Sequence, residues 1–164
     1  MIEMKVRGLT LDPLTNMPIV ILKDVSGEKA LPIWVGIFEA NAIALKMEDV
    51  PTPRPMTHDL IKNLLDGVQA SIEKVIVNDL KNNTFYANIY LTLKGNSFTI
   101  DARPSDAIAL ALRAEAPIYV EQKVIEEARS LELTDAQVEE SEDPEKLKEW
   151  LDNIKPEDFG SLEC

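Results

Sequence analysis

Apolar and polar residues alternate from the start of the chain. Ile2, Met4 and Val6 fall on one side and Glu3, Lys5 and Arg7 on the other, the period-two pattern of a strand. After Gly8 the apolar positions become Leu9 and Leu11. A bulge or bend at the glycine is expected, because one extra residue reverses every later side chain. Pro18 to Val25 is apolar on both faces and predicts a central strand. Asp24-Val25-Ser26-Gly27 reads as a turn, and Ala30 to Val35 as a returning third strand. Pro32 has no amide donor, which suits an edge or irregular position.

The period then changes to that of helices. Gly36 to Met47 is apolar nearly all round, which predicts a helix packed on several sides. Three prolines make Val50 to Pro55 a stiff, non-helical connector. Thr57 is expected to cap a helix whose Leu60, Ile61, Leu64, Leu65 and Val68 recur at helical spacing. Ile72 to Leu80 and Phe85 to Leu93 read as a hairpin turning at Asn82-Asn83, and Gly95-Asn96 turns the chain into a strand from Ser97 to Asp101. Pro104 is an allowed first-turn residue and opens a helix to about Ala114. Pro117 breaks it, Ile118 to Val120 is a short strand, and Lys123 to Arg129 is helical.

This order predicts an α+β fold: a mixed or antiparallel sheet of hairpin-connected strands, packed with several helices, over residues 1–129. Residues 130–164 differ in kind. They carry 12 acids and 3 bases, so most of the formal charge of −12 sits in this tail. Within it, Asp143-Pro144 starts a helical pattern with Leu147, Trp150, Leu151 and Ile154 on one stripe. Such an amphipathic helix docks either on its own domain, which is the expectation, or on a partner.

Composition narrows the class. Apolar residues at 45% suffice for a core, and no aliphatic run is long enough to span a bilayer. The N-terminus lacks the basic start and apolar block of a secretory signal. The only cysteine is Cys164, which excludes a disulfide framework and a thiolate metal cluster. A soluble, cytoplasmic protein is expected. No Lys/Arg cluster of the kind that grips duplex nucleic acid by counterion release is present, so any nucleic acid is held weakly.

Three stretches carry a family resemblance: LPIWVGIFEANAIALKMEDVPTPRPMTHDL (31–60), FYANIYL (85–91) and IDARPSDAIALALRAEAPIYV (100–120). In order and spacing they resemble the bifunctional nuclease domain, from about residue 1 to 125. The resemblance implies a compact α+β domain, association as a homodimer and hydrolysis of both RNA and DNA. It assigns no residue roles, so these come from chemistry.

Phosphodiester cleavage needs an activated nucleophile, neutralisation of the phosphorane-like charge and a proton for the leaving oxygen. Metal-dependent nucleases use carboxylates holding divalent ions, here Mg or Mn if any. Two segments place carboxylates beside basic groups. In Arg54-Pro-Met-Thr-His58-Asp59, His58 is the only histidine and a candidate acid/base, Asp59 a metal ligand and Arg54 a phosphate contact. Alternatively, Thr57 and Asp59 only stabilise a helix start. In Asp101-Ala-Arg103-Pro-Ser105-Asp106, a strand runs into a helix N-terminus, a common anion site. Asp101 is a candidate metal ligand, Arg103 a phosphate clamp, and Ser105 and Asp106 further ligands or donors; equally, Asp101 and Arg103 can pair to hold the corner. Glu39, near the start of an apolar helix, is the third candidate catalytic residue and needs a cationic partner. That partner is Lys46 or an arginine from elsewhere, and a structural ion pair is the expectation.

The rival expectation is a non-enzymatic oligomeric binding or regulatory module, with Trp34, Phe38 and the tyrosines at a subunit interface. Tyr86 and Tyr90 share one strand face and either stack on bases or pack in a core or interface.

Overall fold

The computed structural model describes residues 1–132. The acidic stretch with its apolar stripe lies outside the described residues. The protein is α+β. Its seven strands are β1 (Ile2–Leu11), β2 (Pro18–Asp24), β3 (Ala30–Trp34), β4 (Ala70–Lys81), β5 (Thr84–Leu93), β6 (Asn96–Ala102) and β7 (Ile118–Val120). The helices are α1 (Ile37–Met47), α2 (Thr57–Gly67), α3 (Pro104–Ala114) and α4 (Gln122–Glu132).

One sheet holds every strand, in the order β3-β2-β1-β7-β4-β5-β6. The β7–β4 pairing is parallel and the other pairings are antiparallel, so the sheet is mixed. The short β7, reached after α3, closes the gap between the two antiparallel halves. Pairing across β1 shifts register between Val6 and Gly8, the bulge that the phase change predicted. β3 with its Pro32 is an edge strand, where a missing donor costs least. Asn82 and Asn83 both take positive φ, as a tight hairpin turn demands. In the next turn the positive-φ pair is Lys94-Gly95, and Asn96 already belongs to β6; the turn sits one residue earlier than its composition suggests.

Directly paired residues share a sheet face. Met4, Ile118, Val75, Ile89 and Ile100 therefore form one row across five strands. The first four are buried in the core with Ile43, Ile108 and Ile125 from α1, α3 and α4. Alanines at 107, 109 and 111 let α3 lie close over the sheet. α1 buries Ala40 to Ala44 but leaves Ile37 and Phe38 exposed, so its predicted all-round packing holds only past the first turn. Three of the five apolar residues of the α2 stripe, Leu60, Leu64 and the C-cap Val68, are also exposed. Among the described residues no helix is long and apolar enough to cross a membrane.

Candidate functional site

The start of α3 is built by the sequence Ala102-Arg103-Pro104. The proline fixes the first helical φ and Arg103 is the extended residue before it, so the chain turns from β6 into α3 without a loop. Asp106 then stands in the first helical turn, where the helix dipole favours a carboxylate. Its Oδ2 accepts a hydrogen bond from Arg103 Nε at 2.8 Å. Its Oδ1 lies 2.9 Å from His58 Nε2, at the start of α2. Arg103 extends the chain of contacts to α1, with its terminal NH2 group 2.7 Å from Glu39 Oε1. Glu39–Arg103–Asp106–His58 is thus one connected line across the starts of three helices. Gly36, just before α1, leaves the space for it, since a Cβ there would collide with the Glu39 carboxylate.

Exposure peaks at Arg103 and falls on both sides, with Glu39 at 14%. The Arg103 side chain is 67% exposed, Asp106 28% and His58 9%. Burial opposes ionisation of Asp106, yet hydrogen bonds from Arg103 and His58, with their charges, outweigh it and hold the pKa below its ordinary value. The ionised Asp106 accepts from His58, so the shared proton sits on Nε2. Arg103 uses one N–H on each carboxylate and keeps further donors of its five for an anion. The pKa of Arg103 is raised, first by its hydrogen bond to Asp106, so it stays charged.

Asp59 belongs to a second, adjoining cluster. Its Oδ2 accepts from the Met56 N–H at 3.0 Å and its Oδ1 from Arg113 Nε at 2.7 Å. Met56, not Thr57, is therefore the N-cap of α2, and Asp59 reaches back to close the box from the third helical position. Arg113 is buried and also donates to the carbonyls of Ala109 and Ala42, tying α3 to α1 and α2. Burial works against ionisation of Asp59, but the Met56 amide and Arg113 prevail and lower its pKa. An open cleft of about 420 Å³ lies beside this cluster, lined by Lys46, Arg54, Asp59, Asn63 and Arg113 among others. Arg54, on the proline-rich connector, thus lines the same cleft as Asp59.

Of the candidate residues, Glu39, His58, Arg103 and Asp106 converge, and Asp59 and Arg54 meet beside them. Ser105 is buried at the second helical position of α3. Asp101 stands apart: it pairs with Asn88, whereas its neighbours Ile100 and Ala102 pair with the core residues Ile89 and Ala87. Its side chain is therefore on the sheet face away from the helices. The two metal-ligand candidates Asp59 and Asp101 thus lie on opposite sides of the sheet, and both Asp59 oxygens are already engaged. Among the described residues no group of three His, Cys, Asp or Glu side chains is arranged to hold a metal ion. Glu39 finds Arg103, the arginine from elsewhere, while Lys46 reaches Asp49 at 3.6 Å. Arg113 was not legible as part of a site, since a base in the last turn of a helix reads as a dipole complement. The tyrosines do have cations near them: Lys74 lies over the Tyr90 ring and Lys81 over Tyr86.

The fold is α+β, a seven-stranded mixed sheet with an arginine–carboxylate–histidine line across its helix starts. The chain belongs to the bifunctional nuclease domain family, whose model matches residues 20–132. An uncharacterized protein of Mycobacterium tuberculosis is 40% identical over 163 residues, 96% of this chain and 97% of its own. Bifunctional nuclease 1 of Arabidopsis thaliana is 30% identical over 107 residues, and bifunctional nuclease 2 of Oryza sativa subsp. japonica 28% over 122. These matches cover 63% and 72% of this chain but only 33% and 38% of the plant proteins.

Proposed function

We propose that the protein hydrolyses phosphodiester bonds of single-stranded RNA and DNA at the start of α3. The observation that carries this reading is Arg103, an exposed guanidinium fixed from two sides by Glu39 and Asp106 at a helix N-terminus. Its spare donors, with the first amides of α3, would take the non-bridging phosphate oxygens and the charge that grows on them. A water oxygen bonds to phosphorus and gives its proton to the His58–Asp106 pair. The bond from phosphorus to the leaving sugar oxygen breaks, and that oxygen takes the proton back from the pair. His58 is the member of the pair whose ordinary pKa lies near neutrality. Glu39 is a positioning residue that acts through Arg103. Substrate is held weakly, in keeping with a sequence that has no Lys/Arg cluster.

The test is cleavage of end-labelled single-stranded RNA and DNA by highly purified protein in Mg²⁺, Mn²⁺ or EDTA. Arg103→Ala and Asp101→Ala are run beside the wild type. Loss of activity in Arg103→Ala with retention in Asp101→Ala supports the site. The reverse result moves the chemistry to the other sheet face. Absence of cleavage in every condition favours the alternative, a non-enzymatic binding module in which these ion pairs only hold the helices together.

A further inference from the structure

The connector between α1 and α2 walls a cleft that the proposed chemistry leaves unused. α1 ends where Asp49 takes a positive φ of 49° and the Val50 amide donates back to the Leu45 carbonyl at 2.9 Å. This left-handed cap turns the chain sharply away from the helix axis. Pro51, Pro53 and Pro55 then stiffen the connector, and Thr52 Oγ1 donates to the Arg54 carbonyl at 2.9 Å to fix its bend. The cleft is bounded on the α3 side by the Asp59–Arg113 pair, whose charges cancel. Asn63 stands one helical turn beyond Asp59 on the same side of α2 and also lines the cleft.

The lining matches one class of ligand. At about 420 Å³ the cleft has the size of a small-molecule site. Leu45, Val50 and the prolines offer apolar faces to a flat ring. Asn63 carries both donors and an acceptor, which suits the edge of a nucleobase. Of the lining charges, Lys46 reaches Asp49 and Arg113 holds Asp59. That leaves Arg54, which is exposed and has no carboxylate partner among the described residues. In a chain of net charge −12, such a guanidinium beside an apolar cleft is available to an anionic ligand, and its fork fits a phosphate. We propose that this cleft binds one nucleotide of a single strand, with its base against Leu45, Val50 and the prolines and its phosphate on Arg54. The base enters only when unpaired, which selects single strands. Its distance from the cleaved bond follows from α3. His58 meets Asp106 in the first turn of that helix, and Asp59 meets Arg113 in the last. Seven residues separate Asp106 from Arg113, roughly 10 Å along the helix, a span of about three stacked nucleotides. This placement on the strand rests on hydrolysis at the start of α3, whereas occupancy of the cleft does not.

Two-dimensional proton–nitrogen NMR of the full chain, titrated with adenosine 5′-monophosphate, adenosine or inorganic phosphate, reads the cleft without any cleavage. The monophosphate is expected to shift the amides of Val50, Thr52, Arg54 and Asn63 saturably, and adenosine alone and phosphate alone to bind more weakly. Arg54→Ala is expected to weaken the monophosphate about tenfold and leave adenosine little changed. Val50→Trp, at an exposed position, fills the cleft and is expected to abolish binding of both. Shifts confined to Arg103 through Asp106 overturn the proposal. So does phosphate that binds as tightly as the monophosphate, or an Arg54→Ala variant that binds like wild type. Cleavage then tests the placement. Arg54→Ala is expected to raise KM for a long oligonucleotide about tenfold with kcat kept, and to leave a dinucleotide, too short to reach the cleft, unaffected. An equal effect on both lengths, or none on either, overturns the placement. Binding at the cleft by a protein that cleaves nothing upholds the nucleotide site and contradicts the hydrolysis.

Discussion

The two edges of the sheet end differently. At β3 the last strand is short, carries a proline, and its inward residues Leu31 and Ile33 are buried. At β6 the last strand is longer and regular, and its helix-side residues stay half in solvent. The row that runs through Met4, Ile118, Val75 and Ile89 loses its cover at Ile100. The closed edge supplies stability. The open edge leads straight into Arg103 and the charged line at the helix starts, so the less protected part of the fold adjoins the proposed site.

The largest effect expected to sharpen this contrast comes from two isoleucines paired directly across β5 and β6. Ile89→Ala removes a buried side chain and should cost about 2–5 kcal/mol. Ile100→Ala, its neighbour at the open edge, should cost under about 1 kcal/mol in dilute urea titrations that keep the chain monomeric. Equal costs would erase the distinction. Next in size is Arg113→Ala, which leaves Asp59 and two helix carbonyls without their donor. A loss of about 3 kcal/mol is expected by chemical denaturation, with the α1–α2–α3 junction loosened.

Acid provides a smaller lever. Asp106 and Asp59 have folded pKa values below the ordinary value of 3.8, and Asp79, held by Lys81 and Lys123, is lowered to about 2. A depressed carboxylate stabilises the fold fully above its unfolded pKa, and the contribution disappears as pH falls through the folded value. The melting temperature should therefore hold down to about pH 4 and fall below it. Asp106→Asn should flatten part of that fall. An unchanged slope would mean that the Arg103–Asp106–His58 contacts do not stabilise the fold. The smallest stability change is expected for Gly36→Ala, within about 0.5 kcal/mol, because Glu39 can swing away. Its effect is expected on cleavage instead, since Arg103 loses one of its two supports.

Much of the fold was legible in the sequence because its local signals agree with one another. The phase change at Gly8, Pro32 at an edge, the Asn82-Asn83 hairpin and Pro104 at a helix start each reflect backbone constraints that neighbours cannot override. The cap of α2 was misplaced by one residue because the Asp59 carboxylate, and not the Thr57 hydroxyl, closes the helix start. The site was legible only in part. Residue type and helix position pointed to His58, Arg103 and Asp106, but which acid faces which base depends on how three helices cross. Strand parity alone already separates Asp101 from Asp106, given that Ile100 and Ala102 face the core. Arg113 and the open edge at β6 needed the tertiary structure, since burial of an arginine and exposure of a phenylalanine are properties of packing.

The most direct measurement is kcat/KM for cleavage of a single-stranded RNA by Arg103→Ala and Arg103→Lys, each compared with wild type at equal folded fraction. A guanidinium that carries transition-state charge predicts a loss of about 100-fold or more in the alanine variant, with the lysine variant in between. An alanine variant that cleaves within about twofold of wild type would contradict the account, because a donor worth that little does not stabilise the transition state.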